Sequence, residues 1–274
     1  MGPTDASPSV ILGVADIDDA LLLSDEARWN QIAEDWALFM SPGECYGVRT
    51  DGRLVASAAI LPFAGGFGWI SMVLVTADSR RRGLASRLMD RCIEAMRRHG
   101  AASLLDATPE GALVYSQLGF RTRCRMARWR GMGTESRNRE AAIQPDRSAI
   151  LQRDREAFGG DRGFLLNDFL NRPGTLVLGN SRSFVLLRQG RRATQIGPLV
   201  CASPVEAREL LELAFSHVSG PIILDVLDAG EGLHPVLEKH GFEAFRTFER
   251  MVLDRNDLPG IVSDVMVAAG PEFG

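Results

Sequence analysis

The densest chemistry in the 274-residue chain is a run of seven residues, Arg80-Arg81-Arg82-Gly83-Leu84-Ala85-Ser86. Polar Thr76–Ser79 leads into it and an apolar stripe follows, so the run predicts a turn that opens a helix. That combination is an anion site. The first amides of a helix have no partner within it, and the aligned peptide dipoles place partial positive charge there. Gly83 and Ala85 leave the backbone open to a phosphate, and the arginines add charge-assisted hydrogen bonds. The patterns G-x-x-x-x-G-K-[ST] and G-x-G-x-x-G are both absent, which excludes a P-loop and a Rossmann fingerprint. Read alone, the run favours a solvated basic turn before a helix. Cys45, Cys92, Cys124 and Cys201 form no C-x-x-C pair, and His99, His217, His234 and His240 form no H-E-x-x-H. No metal site and no disulfide framework are expected.

Around the run, residue types predict the elements that must position it. Asp16–Met40 has apolar residues at helical spacing. Cys45–Arg49 and Leu54–Phe63 flank Asp51-Gly52, a strong hairpin signal. Trp69–Val75 is a third strand. After the turn, Leu84, Leu88, Met89, Cys92, Ile93 and Met96 form one face of a helix that Gly100 terminates. Ala102–Leu105 reads as a buried strand, Pro109–Leu118 as a short helix and Phe120–Trp129 as a closing strand. The order then recurs. Phe184–Arg188 and Thr194–Val200 are strands, Val205–Phe215 is a helix and Ile222–Leu227 a strand, followed by a short helix and a last strand. Leu105-Asp106, Leu118-Gly119-Phe120 and Arg128 match Leu224-Asp225, His240-Gly241-Phe242 and Arg250, with eight residues from each Phe to its Arg. The repeat reads as a duplication. Its second copy is shorter between Val200 and Leu224 than the first between Val75 and Leu105, and the missing piece is the arginine turn. The second half is therefore expected to lack the anion site.

Composition narrows the class. With 31 basic and 35 acidic side chains, 45% apolar residues and 24% charged, this is a globular chain, and its length suggests two domains or one large one. The expected limits are 1–131 for the first domain, 132–145 for a polar linker and 146–274 for the second. The net charge of −4 argues against a nucleic-acid partner. Leu54–Ala77 carries no charge and is long enough to span a bilayer, but Pro62, Gly65, Gly66 and Gly68 break it into two strands. The N-terminus lacks the basic and apolar regions of an export signal, so no membrane association and a cytoplasmic location are expected.

The pattern Val75-x-x-x-x-Arg80-x-x-Gly83-x-Ala85 after a strand, with Tyr115-Ser116-Gln117-Leu118-Gly119-Phe120 downstream, resembles the Gcn5-related N-acetyltransferase (GNAT) family. These motifs cover about residues 46–130. Trp29-Asn30-Gln31 and Asp106–Glu110 are similar to a bacterial subgroup with two GNAT-like halves. So are Asp154, Phe158–Arg162 and Ile196–Val200, which match its degenerate C-terminal domain. The resemblance implies an α/β (α+β) fold of two tandem GNAT-like domains, each a mixed central sheet flanked by helices. It implies direct transfer of acetyl from acetyl-CoA to an amine acceptor, without a metal and without an acyl-enzyme. Backbone groups of Val73, Leu74 and Val75 would pair with the pantetheine arm, and Arg80, Arg81, Arg82, Gly83, Leu84, Ala85 and Ser86 would hold the pyrophosphate. Tyr115 would protonate the departing thiolate, or is a core residue beside Leu118 and Phe120. Asp106 is the candidate base, or a cap for the helix at Pro109. Trp29, Asn30 and Asp35 are expected at the acceptor, with Glu26 and Glu44 as further acids; Trp36 and Trp69 line that pocket or fill the core. The alternative function is a non-catalytic acyl-CoA sensor. Acceptor identity and oligomeric state are not legible.

Overall fold

The structure, a computed structural model, describes residues 8–133 and 145–274. Of the expected linker, residues 134–144 lie outside the described residues. Two compact units divide the chain between Leu104 and Leu105.

The first unit contains β1 (Ser9–Leu12), α1 (Ile17–Glu26), α2 (Ala33–Met40), β2 (Glu44–Thr50), β3 (Arg53–Phe63), β4 (Phe67–Val75), α3 (Leu84–Arg98) and the start of β5 (Ala102–Ala107). Its strands lie in chain order, antiparallel until β4, which pairs β5 in parallel. The expected hairpin forms, with Asp51 at φ 51° and Gly52 at φ 81°, both left-handed as a tight two-residue turn demands. β3 is buried almost throughout, because α1 and α2 as well as α3 pack on it. The uncharged run Leu54–Ala77 is thus explained by central strands covered on both faces. Among the described residues no helix is long and apolar enough to cross a membrane.

The single helix expected over 16–40 is two. After Glu26 the Arg28 amide donates to the Asp25 carbonyl and the Trp29 amide to the Ser24 carbonyl, at 3.0 and 2.9 Å. With Arg28 at φ 56° this is a left-handed C-terminal cap, and it frees Trp29–Gln31 as a loop.

The second unit holds the end of β5, α4 (Pro109–Gln117), β6 (Arg121–Gly133), α5 (Arg147–Phe158), α6 (Gly163–Asn171), β7 (Leu176–Gly179), β8 (Phe184–Gln189), β9 (Thr194–Val200), α7 (Pro204–Ser216), β10 (Gly220–Leu227), α8 (His234–Lys239), β11 (Glu243–Leu253) and β12 (Val265–Val267). The strand order is β11-β6-β10-β12-β9-β8-β7. A core of Leu187, Ile196, Leu211, Phe215, Leu224 and Leu237 forms around α7 and α8. β6, the closing strand of the first sequence copy, runs antiparallel between β10 and β11 of the second. Residues 105–131, assigned from sequence to the first domain, therefore pack in the second compact unit.

Candidate functional site

Two features of the first unit converge on its open end. The first is the β4 edge. β4 and β5 pair only where Phe67–Trp69 faces Ala102–Leu104. Just beyond, Met72 sits at φ 53°, a strained value for a residue with a side chain, and its carbonyl accepts from the buried Ser57 hydroxyl at 2.8 Å. On the other side Leu74 and Val75 stay paired to Ser57 and Ala56 of β3. Among the described residues the β4–β5 ladder ends at Trp69, so Val73–Val75 could accept an extended ligand as an added strand. A cavity of about 310 Å³ lies along it, lined by Val73, Leu74, Val75, Leu23, Glu26 and Trp29 among others.

The second feature is the arginine turn. Arg81 has φ 61°, and Gly83 caps α3 at φ 78°, a conformation glycine takes without strain. The N-cap residue makes no side-chain cap hydrogen bond, and a helix mouth of this kind could hold an anion. Arg80, Arg81, Arg82 and Gly83 are exposed, and the Arg80 Nε reaches back to the Val75 carbonyl at 3.3 Å, tying turn to strand. The nearby acid, Asp78, is spoken for. The Thr76 hydroxyl donates to it at 2.6 Å, with Ser79 and Arg53 at 3.1 Å, and these hold its carboxyl below the usual carboxylate range. Glu26 accepts the Ala77 amide at 2.7 Å. The donor set fits a thioester carrier with a diphosphate: an open strand edge for amides and a positive, uncapped helix mouth for phosphate oxygens.

Known protein families match both halves of the chain. The description "Acetyltransferase (GNAT) family" matches residues 15–120, and "Acetyltransferase (GNAT) domain" matches residues 150–265. The chain belongs to the Gcn5-related N-acetyltransferase family. It is a tandem GNAT protein with two such domains in one mixed α/β chain, and it is of acetyltransferase type. The uncharacterized N-acetyltransferase YitH of Bacillus subtilis is 23% identical over 238 residues, covering 82% of this chain and 84% of its own. A Pyrococcus horikoshii protein shares the fold with a TM-score of 0.84 at 19% identity, over 98% of this chain and 96% of its own. A tandem GNAT protein from the clavulanic acid biosynthesis pathway has a TM-score of 0.63 at 15% identity, over 91% and 99%.

Other candidates of this GNAT chain fall differently. Asp106 is bound by both Nε and Nη2 of Arg250 at 2.8 Å, and its side chain has no exposed surface. A carboxylate so engaged can neither reach an amine nor readily take its proton, which corrects the assignment of Asp106 as base. Nor does it cap α4; Thr108 does, accepting the Gly111 amide at 3.2 Å. Asp35 is buried and accepts the Ile32 amide at 3.0 Å, closing the N-terminus of α2. It is a structural acid, not an acceptor ligand. Glu44 is tied to Tyr46, Arg98 and His99. Trp36 is core, its indole N–H donating to Ser24 at 3.0 Å, and Trp69 is buried. Trp29 alone of these three tryptophans lines the cavity, and Asn30 adjoins it in the loop, half-buried. Tyr115 lies half-buried on α4 in the second unit, its ring 6.2 Å from that of Phe120. Ser57, which braces the bulge, was not singled out from sequence; one small polar residue in an uncharged strand carries no distinguishing signal.

Proposed function

We propose that this protein transfers the acetyl group of acetyl-CoA directly to an amine. The observation that supports it best is the pairing of an open β4 edge with an uncapped, arginine-flanked helix mouth. On this reading the amides and carbonyls of Val73–Val75 hold the pantetheine arm as an added strand. The amides of Gly83–Ser86, with Arg80–Arg82, hold the diphosphate. The neutral amine attacks the carbonyl carbon, the C–S bond breaks, and Tyr115 gives the thiolate its proton. With Asp106 locked by Arg250, the amine's proton leaves through another acceptor; Glu26 is the carboxylate that lines the cavity of the first unit.

Release of free thiol from acetyl-CoA, measured over a panel of amine acceptors, tests the reaction. Gly83→Glu places a carboxylate at the phosphate cradle and a side chain at left-handed φ. Acetyl-CoA affinity is expected to fall at least tenfold in a cooperatively folded protein. Unchanged affinity would remove the site. Tight binding without thiol release for any amine would favour the acyl-CoA sensor instead.

A further inference from the structure

The two parallel strand pairs part in the same manner. In the first unit the β4–β5 ladder ends at Trp69 and Leu104; in the second, the β9–β10 ladder ends at Ile196 and Leu224. Each outgoing strand then carries a left-handed residue, Met72 in β4 and Gly197 in β9. The duplication aligns Val200 with Val75 and Leu224 with Leu105, so the gap between β9 and β10 is the counterpart of the slot beside Val73–Val75.

That gap is filled. Within it β12 runs antiparallel to β9, with Val265 opposite Val200 and Val267 opposite Leu199, while Val267 also faces Val226 of β10. Flanking bonds extend the join on both sides. The Cys201 amide donates to the Asp264 carbonyl, and the Ala268 amide to the Asp225 carbonyl, both at 2.9 Å. Gly197 is fitted to the insert, since a Cβ there would lie 2.0 Å from the Ala268 carbonyl oxygen. Arg153 holds Asp264 at 2.6 Å, and Val265 to Ala269 are buried, with Met266 and Val267 part of the core. The occupant is integral to the unit rather than a loose flap.

We infer that the second copy retains the strand-accepting slot of a CoA site and fills it in cis with Asp264–Ala268. The inference rests on the reading that the equivalent edge in the first unit receives the cofactor's arm. It goes beyond the missing arginine turn. That loss removes the phosphate cradle, whereas β12 takes the backbone groups the arm would use. The chain therefore carries one acyl-CoA, and a pantetheine thioester has no entry between β9 and β10.

Amide hydrogen exchange on the full chain, with and without acetyl-CoA, tests this. Without ligand the Cys201, Val267 and Ala268 amides should exchange as slowly as those of central β10. Exchange at the rate of an open strand edge would overturn the inference. With saturating acetyl-CoA, protection should rise around Val73–Ser86 and stay unchanged at Leu199–Cys201, with one ligand per chain by titration calorimetry. Two ligands per chain, or new protection at Leu199–Cys201, would overturn it. Gly197→Ala pushes the insert outward, and the Cys201 amide should then exchange at least tenfold faster while acetyl-CoA affinity is kept; an unchanged rate would count against the fit. Slow exchange at Cys201 and Ala268 in a chain that binds no acetyl-CoA would sink the proposed function and leave the filled slot standing.

Discussion

Asp106 shows how one buried contact decides a residue's role. Its position at a strand end suggested a base, but a guanidinium with both donors on its two oxygens makes it half of an ion pair. Nothing in the spacing of residues 105–110 announces a partner 144 positions away. Tyr115, by contrast, keeps a role that one atom can test. Tyr115→Phe preserves the ring packing on Phe120 and deletes only the hydroxyl. Because thiolate already leaves well, kcat is expected to fall about tenfold, at the low end of general acid effects, with the KM for acetyl-CoA unchanged in steady-state assays. An unaltered kcat would make Tyr115 a packing residue. The cysteines carry a separate expectation. Burial pushes the Cys45 and Cys201 thiols up to about 12, and raises Cys92 and Cys124 as well. A thiol that ionises at about pH 8.5 when unfolded but resists ionisation when folded stabilises fully below that pH, and the stability is lost as pH rises towards 12. Thermal midpoints should drop across that alkaline window. At pH 8 a thiol reagent should label the native protein negligibly and the denatured protein at all four cysteines.

At the scale of elements, most of what frames the candidate site was legible because local rules placed it. The Asp51-Gly52 hairpin, the apolar stripe of α3 and the glycine before that helix all follow from periodicity and turn chemistry. The break between α1 and α2 was hidden because the left-handed cap position holds Arg28, where glycine is usual and would have been the signal. The acid three residues after Ile32 was in principle readable as a cap. That reading gives Asp35 a sharp test. Asp35→Ala should cost about 1 kcal/mol by denaturant unfolding, the usual worth of a helix cap, and leave the acceptor KM alone. Asp35→Asn, which still accepts the Ile32 amide, should recover most of the loss. A raised acceptor KM in the Asn variant would return Asp35 to the substrate. The bulge in β4 was not legible either. At it the Ser57 hydroxyl meets the Met72 carbonyl across two strands, and only tertiary structure brings them together.

At the scale of the whole molecule, the duplication was visible as matched Asp and Arg landmarks, yet how the copies share them was not. Arg128 of the first copy binds Asp225 of the second through Nε and Nη2 at 2.7 and 2.8 Å, while Arg250 of the second binds Asp106 of the first at 2.8 Å. The closing strands have been exchanged, and the two buried ion pairs are exchanged with them. Self-contained and exchanged copies have identical local patterns, so periodicity could not separate them. The consequence is physical. β6 pairs eight positions of β10 and nine of β11, so residues 145–274 alone would leave two long strand edges open and the Asp225 carboxylate without Arg128, keeping the Gln195 side chain at 3.1 Å. Removing one partner of a buried pair costs about 3–5 kcal/mol, a large share of a domain's stability. Arg128→Met should therefore lower unfolding stability by that amount, and Arg128→Met with Asp225→Leu should recover most of it, since no charge is then stranded. The fragment 145–274 should show no cooperative thermal transition by circular dichroism, and co-expression with residues 1–144 should restore one. A cooperative transition in the fragment alone would mean that the second copy closes its own sheet, and that the exchange is dispensable.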